Sequence, residues 1–368
     1  MKRKQVAGWS AVALISLTVI ILIAQWSRTI PEVAVFISYY RGTTALPEGA
    51  PVGLPAWLGW QHFLNMFFLL LIMRTGWIIR SKKRPPAFWT RSDEGILKYT
   101  GPAQRMGIYH WFHLCLDFLW VLNGIVFMVL LFATGQWMRI VPTSWDIFPN
   151  AASAALQYAS LRWPVDNAWV NYNSLQVLAY FVTVFIAAPI AIKTGLRLSP
   201  IWPKQGWLHR VFPEDLARTL HVLVLFYFFV FIVIHVTLVF TTGALRNLNM
   251  MFAANDGTSW LGAGIFGLAV VVMVVGWLLA KPSILKPISY TNSKFWMTPA
   301  IRVFCTLSDC WLNQRASQTT SSPSSSDASA RRSGSGRRGR PRARATAAGR
   351  RRRSPCSLSR SAAGPAPG

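Results

Sequence analysis

The chain has 368 residues, of which 52% are hydrophobic and 13% are aromatic, and its formal net charge is +26. This composition excludes an ordinary water-soluble domain and is typical of a protein that crosses a membrane several times. A helix needs about 20 mainly apolar residues to span a bilayer. Six stretches meet this requirement: Ala7–Trp26, Trp57–Gly76, Trp111–Gly135, Ser174–Thr194, Leu220–Thr242 and Leu261–Ala280.

The first stretch has two interpretations. Lys2, Arg3 and Lys4 precede it, as basic residues precede the apolar part of a signal peptide. The following sequence, "AQWSRTI", lacks small residues at the spacing of a cleavage site, which favours an uncleaved anchor. We therefore predict that residues 1–53 form an anchor helix followed by an outer loop.

Basic residues predict the orientation of the spans. The amino end and the alternate connections 77–107, 196–219 and 281–294 hold 17 Lys and Arg, whereas the other three connections hold 5. Because basic loops stay on the cytoplasmic side, both termini are expected in the cytoplasm. The Ser/Arg/Gly/Pro-rich segment 294–368 predicts a solvated, disordered tail, which has no specific nucleic-acid partner.

Glycines follow four of the six apolar stretches, within "RTG" at Gly76, "ATG" at Gly135, "KTG" at Gly195 and "TTG" at Gly243. A glycine just past the last turn of a helix adopts the left-handed conformation that ends it. We therefore predict that these four glycines end their helices, and they serve as markers of depth in the membrane.

The fifth stretch carries two histidines, His221 and His235, which are fourteen residues apart. Fourteen residues are about four helical turns, so both side chains lie on one face, about 21 Å apart along the axis. His113 precedes its glycine by the same 22 residues as His221 does, and His62 lies close to the start of its stretch. The depths therefore pair His113 with His221, and His62 with His235.

Four histidines at two membrane levels predict two metal-bound cofactors. A neutral imidazole is a good ligand for iron, and two imidazoles can hold one haem across a helix bundle. The outer haem iron would then have the ligands His62 and His235, and the inner one His113 and His221. Two alternatives stay open, a scaffold in which the histidines only bond neighbouring helices, and a haem-free transporter or proton relay.

Two further residues on the third stretch are candidates. His110 lies one turn before His113 and is the alternative ligand of the inner iron. Asp117 lies one turn beyond His113, where an unpaired carboxylate is costly. It is expected to orient a histidine, to accept a proton from a quinol, or to bond another helix.

The segment "QHFLNMFFLLLIMRTG" and the four histidine positions resemble the membrane cytochrome b subunits of nickel–iron hydrogenases and formate dehydrogenases. The resemblance covers residues 54–243 and implies an all-α fold, in which a four-helix haem-binding bundle is flanked by one helix on each side. It implies two b-type haems, quinone as a substrate, and a bacterial plasma membrane. The chain would be an electron-transfer subunit of a respiratory oxidoreductase.

The remaining segments are assigned around this core. The connection 136–173 is long for a helix bundle and rich in aromatic residues, which favours a docking site for an extracytoplasmic redox subunit, such as a molybdenum-containing oxidoreductase. Its alternative role is to cover the outer haem. Residues 244–293 are expected to hold the sixth span and a short cytoplasmic segment, and the spans contact membrane lipid.

Overall fold

The computed structural model describes residues 3–81, 85–90, 105–163, 167–200, 202 and 207–295, so nearly all of the predicted tail lies outside the described residues. Six helices of 19 to 28 residues are long and apolar enough to cross a membrane, which confirms the predicted spans. The chain is therefore a multi-pass helical membrane protein. The spans are α1 (Arg3–Ser27), α3 (Ala56–Arg80), α4 (Ile108–Ala133), α6 (Ser174–Phe181) continued by a π-helix (Val182–Ala187) and α7 (Ala188–Leu198), α9 (Glu214–Thr241) and α11 (Leu261–Leu279).

Shorter elements occupy the connections, where the sequence predicted only loops. They are α2 (Pro31–Tyr39), a 3-10 turn (Gln136–Arg139), α5 (Ile147–Ala159), α8 (Trp207–Val211), α10 (Ala244–Phe252) and α12 (Pro282–Phe295). One antiparallel hairpin joins β1 (Phe88–Thr90) to β2 (Arg105–Gly107), with Phe88 opposite Gly107. Since α5 and α10 lie at one end of the spans and the hairpin lies at the other, we call these the α5 end and the hairpin end.

The prediction that four glycines end their helices is wrong for two of them. Gly135 (φ 71°) and Gly243 (φ 125°) do follow their helices in a conformation that favours glycine. Gly76 and Gly195 instead lie inside α3 and α7, which continue to Arg80 and Leu198. Their role is a close contact between helices, described below.

The spans are organised as two tightly packed helix pairs. Helix α3 packs against α4, and α7 packs against α9, while α10 packs on α3 and α11 at the α5 end. Helix α9 packs less closely against α3 and α4, and side-chain rings bridge the gap between them. The histidines lie along this gap.

A buried arginine joins the loops at the α5 end through hydrogen bonds. Arg139 is 1% exposed, and its guanidinium donates to the carbonyl oxygens of Gly53 and Ala168. It also lies 4.7 Å from the centre of the Tyr172 ring. The Gly53 amide donates to the Trp169 carbonyl over 2.8 Å, and with φ 91° a side chain at position 53 would be strained and would meet the Trp169 ring. These contacts join the segment before α3 to the segment before α6.

The substitution Arg139→Gln should destabilise the protein, because it removes the guanidinium donor of the Ala168 carbonyl and leaves the Gly53 carbonyl with Gln136 as its one side-chain donor. Each buried group without a partner costs about 1–3 kcal/mol. The expected result is a clearly lower melting temperature of the detergent-solubilised protein. Arg41→Gln is the matched control, because Arg41 is exposed at the same end. Equal melting temperatures for the two variants would contradict the assigned role of Arg139.

Candidate functional site

The structure brings the four histidines together as two pairs. The ring centres of His62 and His235 are 6.1 Å apart, with an angle of 48° between the ring planes. Those of His113 and His221 are 6.4 Å apart, with an angle of 72°. We call these the first pair, which lies toward the α5 end, and the second pair, which lies toward the hairpin end.

Helix α9 supplies one histidine to each pair, and this sets the distance between the two levels. His221 and His235 are four turns apart on α9, or about 21 Å at 1.5 Å per residue. The apolar part of a bilayer is about 30 Å thick. The two levels therefore fit within the thickness of the apolar layer, each toward a different end of the spans.

The second pair is held by two threonines in the same way. Nδ1 of His113 lies 2.7 Å from Oγ1 of Thr75, and Nδ1 of His221 lies 2.9 Å from Oγ1 of Thr194. Thr75 is on α3 and Thr194 is on α7, so each helix pair fixes one imidazole internally. Both threonines are almost fully buried.

The hydrogen bonds of the threonines fit one tautomer of each histidine. The hydroxyl of Thr75 lies 2.8 Å from the carbonyl oxygen of Leu71, and that of Thr194 lies 2.7 Å from the carbonyl oxygen of Ile190. When each hydroxyl proton is donated to its carbonyl, the hydroxyl oxygen accepts from the histidine, whose proton is then on Nδ1. In both imidazoles, Nε2 then carries a lone pair, and neither ring can donate a hydrogen bond to the other.

A glycine follows each of these threonines and lies beside the imidazole. A Cβ atom at Gly76 would lie 3.4 Å from Cε1 of His113, and one at Gly195 would lie 3.6 Å from Cε1 of His221, so a methyl group would touch the ring and a larger side chain would meet it. We call each Thr-Gly step a histidine seat. The sequence signal was visible as the repeated "TG" in "RTG" and "KTG", but its interpretation as a helix end was wrong.

The first pair has aromatic neighbours in place of threonine seats. Phe231 stacks on His235 with ring centres 5.5 Å apart and planes 6° apart, and the edge of Tyr180 contacts the same imidazole. Phe252 of α10 meets His62 at 5.9 Å. Nδ1 of His62 is buried and has no hydrogen-bond partner among the described residues. This polar atom is therefore available to a bound group.

An aromatic layer fills the bundle between the two pairs. Phe228 is seven residues from both His221 and His235, and it meets Trp120 of α4 edge to face at 6.3 Å. The Trp120 indole donates to Oδ1 of Asn65 on α3 over 3.0 Å. On the other side of α9, the Tyr227 hydroxyl is 2.7 Å from Oγ1 of Thr183 in the π-helix. Bulky rings with satisfied polar atoms thus separate the two levels.

Asp117 and His110, the other two predicted candidates, lie near the second pair. Asp117 approaches His113 with 3.6 Å between Oδ2 and Nε2, which is too long for a hydrogen bond. His110 lies one turn earlier on α4, and it is the ring of His113 that faces His221. His209 is in α8, outside the spans, where its Nδ1 is 3.3 Å from the Arg197 guanidinium.

Each histidine pair would offer a metal two protein ligands within the described part of the chain. That part holds no group of three or more His, Cys, Asp or Glu side chains that could bind a metal ion. Structural and catalytic zinc sites use three or four protein ligands. A metal bound by one histidine pair alone must therefore bring its remaining ligands with it.

Comparisons with known proteins found no relative of this chain. No family model matches the chain, and no curated protein or solved structure matches it. The residues and the geometry of the two histidine pairs are therefore the basis of the proposed function.

The substitution Gly195→Leu should disturb the seat of His221, because the new side chain would occupy the space of the imidazole. Inserting side-chain atoms into a packed region costs about 1–3 kcal/mol. We expect a lower melting temperature in detergent than for the wild type.

The matched control is Gly124→Leu, which changes a helical glycine in α4 with no atom near its Cβ position. This variant should melt like the wild type. A similar loss of stability in both variants would mean that the space at Gly195 has no special role.

Proposed function

We propose that the chain is a membrane electron-transfer subunit that binds two b-type haems, one between His62 and His235 and one between His113 and His221. The observation that carries this proposal is the pair of histidine seats. In the tautomer that keeps both threonine hydroxyls bonded to their backbone carbonyls, the Nδ1 protons of the second pair are bonded to threonine oxygens and both Nε2 atoms are acceptors. A histidine–histidine hydrogen bond needs one donor, and a shared metal needs two such lone pairs.

The distances within both pairs support the proposal. An imidazole nitrogen binds a transition metal at about 2.0–2.1 Å, so two imidazoles on opposite sides of one metal have ring centres about 6 Å apart. The observed separations are 6.1 and 6.4 Å. The wider gap between α9 and the α3–α4 pair is consistent with a flat group between the imidazoles.

The number of ligands favours haem over a bare ion. Each pair supplies two nitrogens and no third His, Cys, Asp or Glu ligand among the described residues. Haem iron already has four ligands from its macrocycle and needs only axial ones from the protein. A bound haem would supply one-electron reduction and oxidation, while its potential depends on the axial ligands, burial and nearby hydrogen bonds.

The residues of the chain have defined roles in this proposal. Thr75 and Thr194 hold the imidazoles in one tautomer and orientation and make Nε2 more basic. The ring of Phe231 and the Trp120–Phe228 contact exclude water between the two levels. With one pair toward each end of the spans, the subunit would carry electrons across the membrane.

The resemblance of residues 54–243 to hydrogenase and formate dehydrogenase cytochrome b subunits supports the remaining parts of the proposal, which are the quinone site, the membrane location and the redox partner. We propose that quinone reacts near the hairpin end, where Asp117 beside His113 would accept a proton. The location would be a bacterial plasma membrane, with both termini in the cytoplasm. A redox subunit, such as a molybdoenzyme, would dock on segment 136–173, where Trp145 is 84% exposed and Phe148 lies beside it.

The histidine variants test the ligand assignment directly. His62→Ala or His235→Ala should reduce the haem content from two per chain to one, because one axial ligand of the same haem is lost. His113→Ala and His221→Ala should remove the other haem. The measurement is haem per chain by pyridine haemochrome, with a redox-difference spectrum of each purified variant.

Two control variants complete this experiment. His209→Ala lies in α8, outside the spans, and should retain both haems. His110→Ala should also retain both, whereas loss of a haem would assign the inner ligand to His110. Wild-type protein that contains no haem but shows proton-dependent transport would instead favour the proton-relay function.

The threonine seats give a second test. Thr75→Val or Thr194→Val keeps the side-chain shape but removes the acceptor of the Nδ1 proton. Loss of such an outer partner typically weakens metal binding by about 10–100-fold. The inner haem should therefore be lost faster to an excess of a haem-scavenging apoprotein, and its midpoint potential should shift.

Thr75→Ser should restore retention, because serine supplies the same hydroxyl. Thr237→Val is the matched control, since the Thr237 hydroxyl bonds only the carbonyl oxygen of Val233 within α9. Unchanged haem retention and potential in Thr75→Val and Thr194→Val would show that the threonines do not position the ligands.

A further inference from the structure

A cavity of about 610 Å³ lies at the α5 end, remote from the histidine pairs. Its walls come from the end of α1, from α2 and from the segment after α5. The polar side chains that line it include Gln25, Arg28, Thr29 and Arg162. It therefore lies where α1 leaves the apolar layer.

Hydrogen bonds hold the cavity wall in place. The Arg28 guanidinium donates to Oγ of Ser160 over 3.0 Å, and Gln25 donates to the Ser160 carbonyl over 3.3 Å. Ser160 is fully buried directly after α5. The end of α1 is thus fixed against α5, and the position of Arg28 is defined.

The two arginines of the cavity have no acidic partner among the described residues. The ion pairs of the described residues lie elsewhere: one is within α4, one is within α9, and one joins Arg246 to Asp256. Burial and the nearby positive charge of Arg162 lower the pKa of Arg28. Two guanidinium groups that repel each other at one cavity favour the binding of an anion.

Apolar side chains complete the walls. Leu22 and Trp26 of α1 line the cavity together with Ile37 of α2. Leu22 is 58% exposed and Trp26 is 65% exposed. Most other apolar side chains of α1 are also exposed, and among the described helices α1 packs mainly against α5. In a bilayer this surface is covered by acyl chains.

We propose that this cavity binds the phosphate group of an anionic phospholipid, whose acyl chains lie along α1. The arginines recognise the phosphate through charge-assisted hydrogen bonds, and Gln25 and Thr29 add polar contacts. Leu22 and Trp26 contact the beginning of the chains. An inorganic phosphate ion shares the headgroup chemistry but would leave these apolar walls without a partner.

The test uses the purified full-length chain in detergent with three probes: phosphatidylglycerol, phosphatidylcholine and inorganic phosphate. Retained lipid is counted by native mass spectrometry, and affinity is taken from the shift in melting temperature during titration. We expect phosphatidylglycerol to be retained and to raise the melting temperature, with weaker effects of the other two probes.

The arginine variants then locate the site. Near a membrane surface one basic residue contributes about a fivefold gain in affinity for anionic lipid, so Arg162→Gln should weaken phosphatidylglycerol binding by about fivefold. The double variant with Arg28→Gln should weaken it by about thirtyfold. Arg41→Gln, which removes an exposed charge at the same end, should bind like the wild type.

Arg162→Gln decides the result, because Arg28 also fixes Ser160 and its loss alters the wall itself. Unchanged binding in Arg162→Gln, or an equal loss in Arg41→Gln, would overturn the proposal. Equal stabilisation by phosphatidylcholine would overturn the selectivity for an anionic headgroup. Equal stabilisation by inorganic phosphate would mean that the cavity binds a free ion, and it would overturn the proposal of a bound lipid.

Discussion

The hydrogen bonds from two histidines to two threonines are the interaction on which the site depends. Each hydroxyl of Thr75 and Thr194 has one proton, and a backbone carbonyl accepts it. With the hydroxyl protons held by these carbonyls, the histidines donate from Nδ1, and His113 and His221 carry acceptor Nε2 atoms on rings whose centres are 6.4 Å apart. Two acceptors cannot bond each other, and under the proposed function a metal ion would use both lone pairs.

The helix packing supports this arrangement. Because each threonine and its histidine belong to one tightly packed helix pair, each seat is formed within a pair and does not depend on the gap between the pairs. Under the proposed function, a bound group would lie between the imidazoles of the two helix pairs. At the other level, α10 contacts His62 through Phe252, and Phe231 stacks on His235. This level is enclosed by apolar rings, so the two sites would give their cofactors different surroundings.

The sequence predicted the spans and the pairing of the histidines, because both follow from helix geometry. Fourteen residues must place His221 and His235 on one face of α9, and the lengths of the spans fix the depths of their partners. The seats were missed, since a glycine after threonine has the same sequence pattern at a helix end and at a helix contact. Only the packing of α3 on α4 shows that Gly76 lies against the imidazole of His113. Helices α5 and α10 were missed because they are too short to span a membrane and lie in connections.

The haem content of the purified wild-type chain tests the central claim most directly. Protein produced with an ample supply of haem should contain two b-type haems per chain, with the low-spin spectrum of iron that has two nitrogen axial ligands. A monodisperse, cooperatively melting chain that contains no haem, and takes up none when haem is added, would contradict the account.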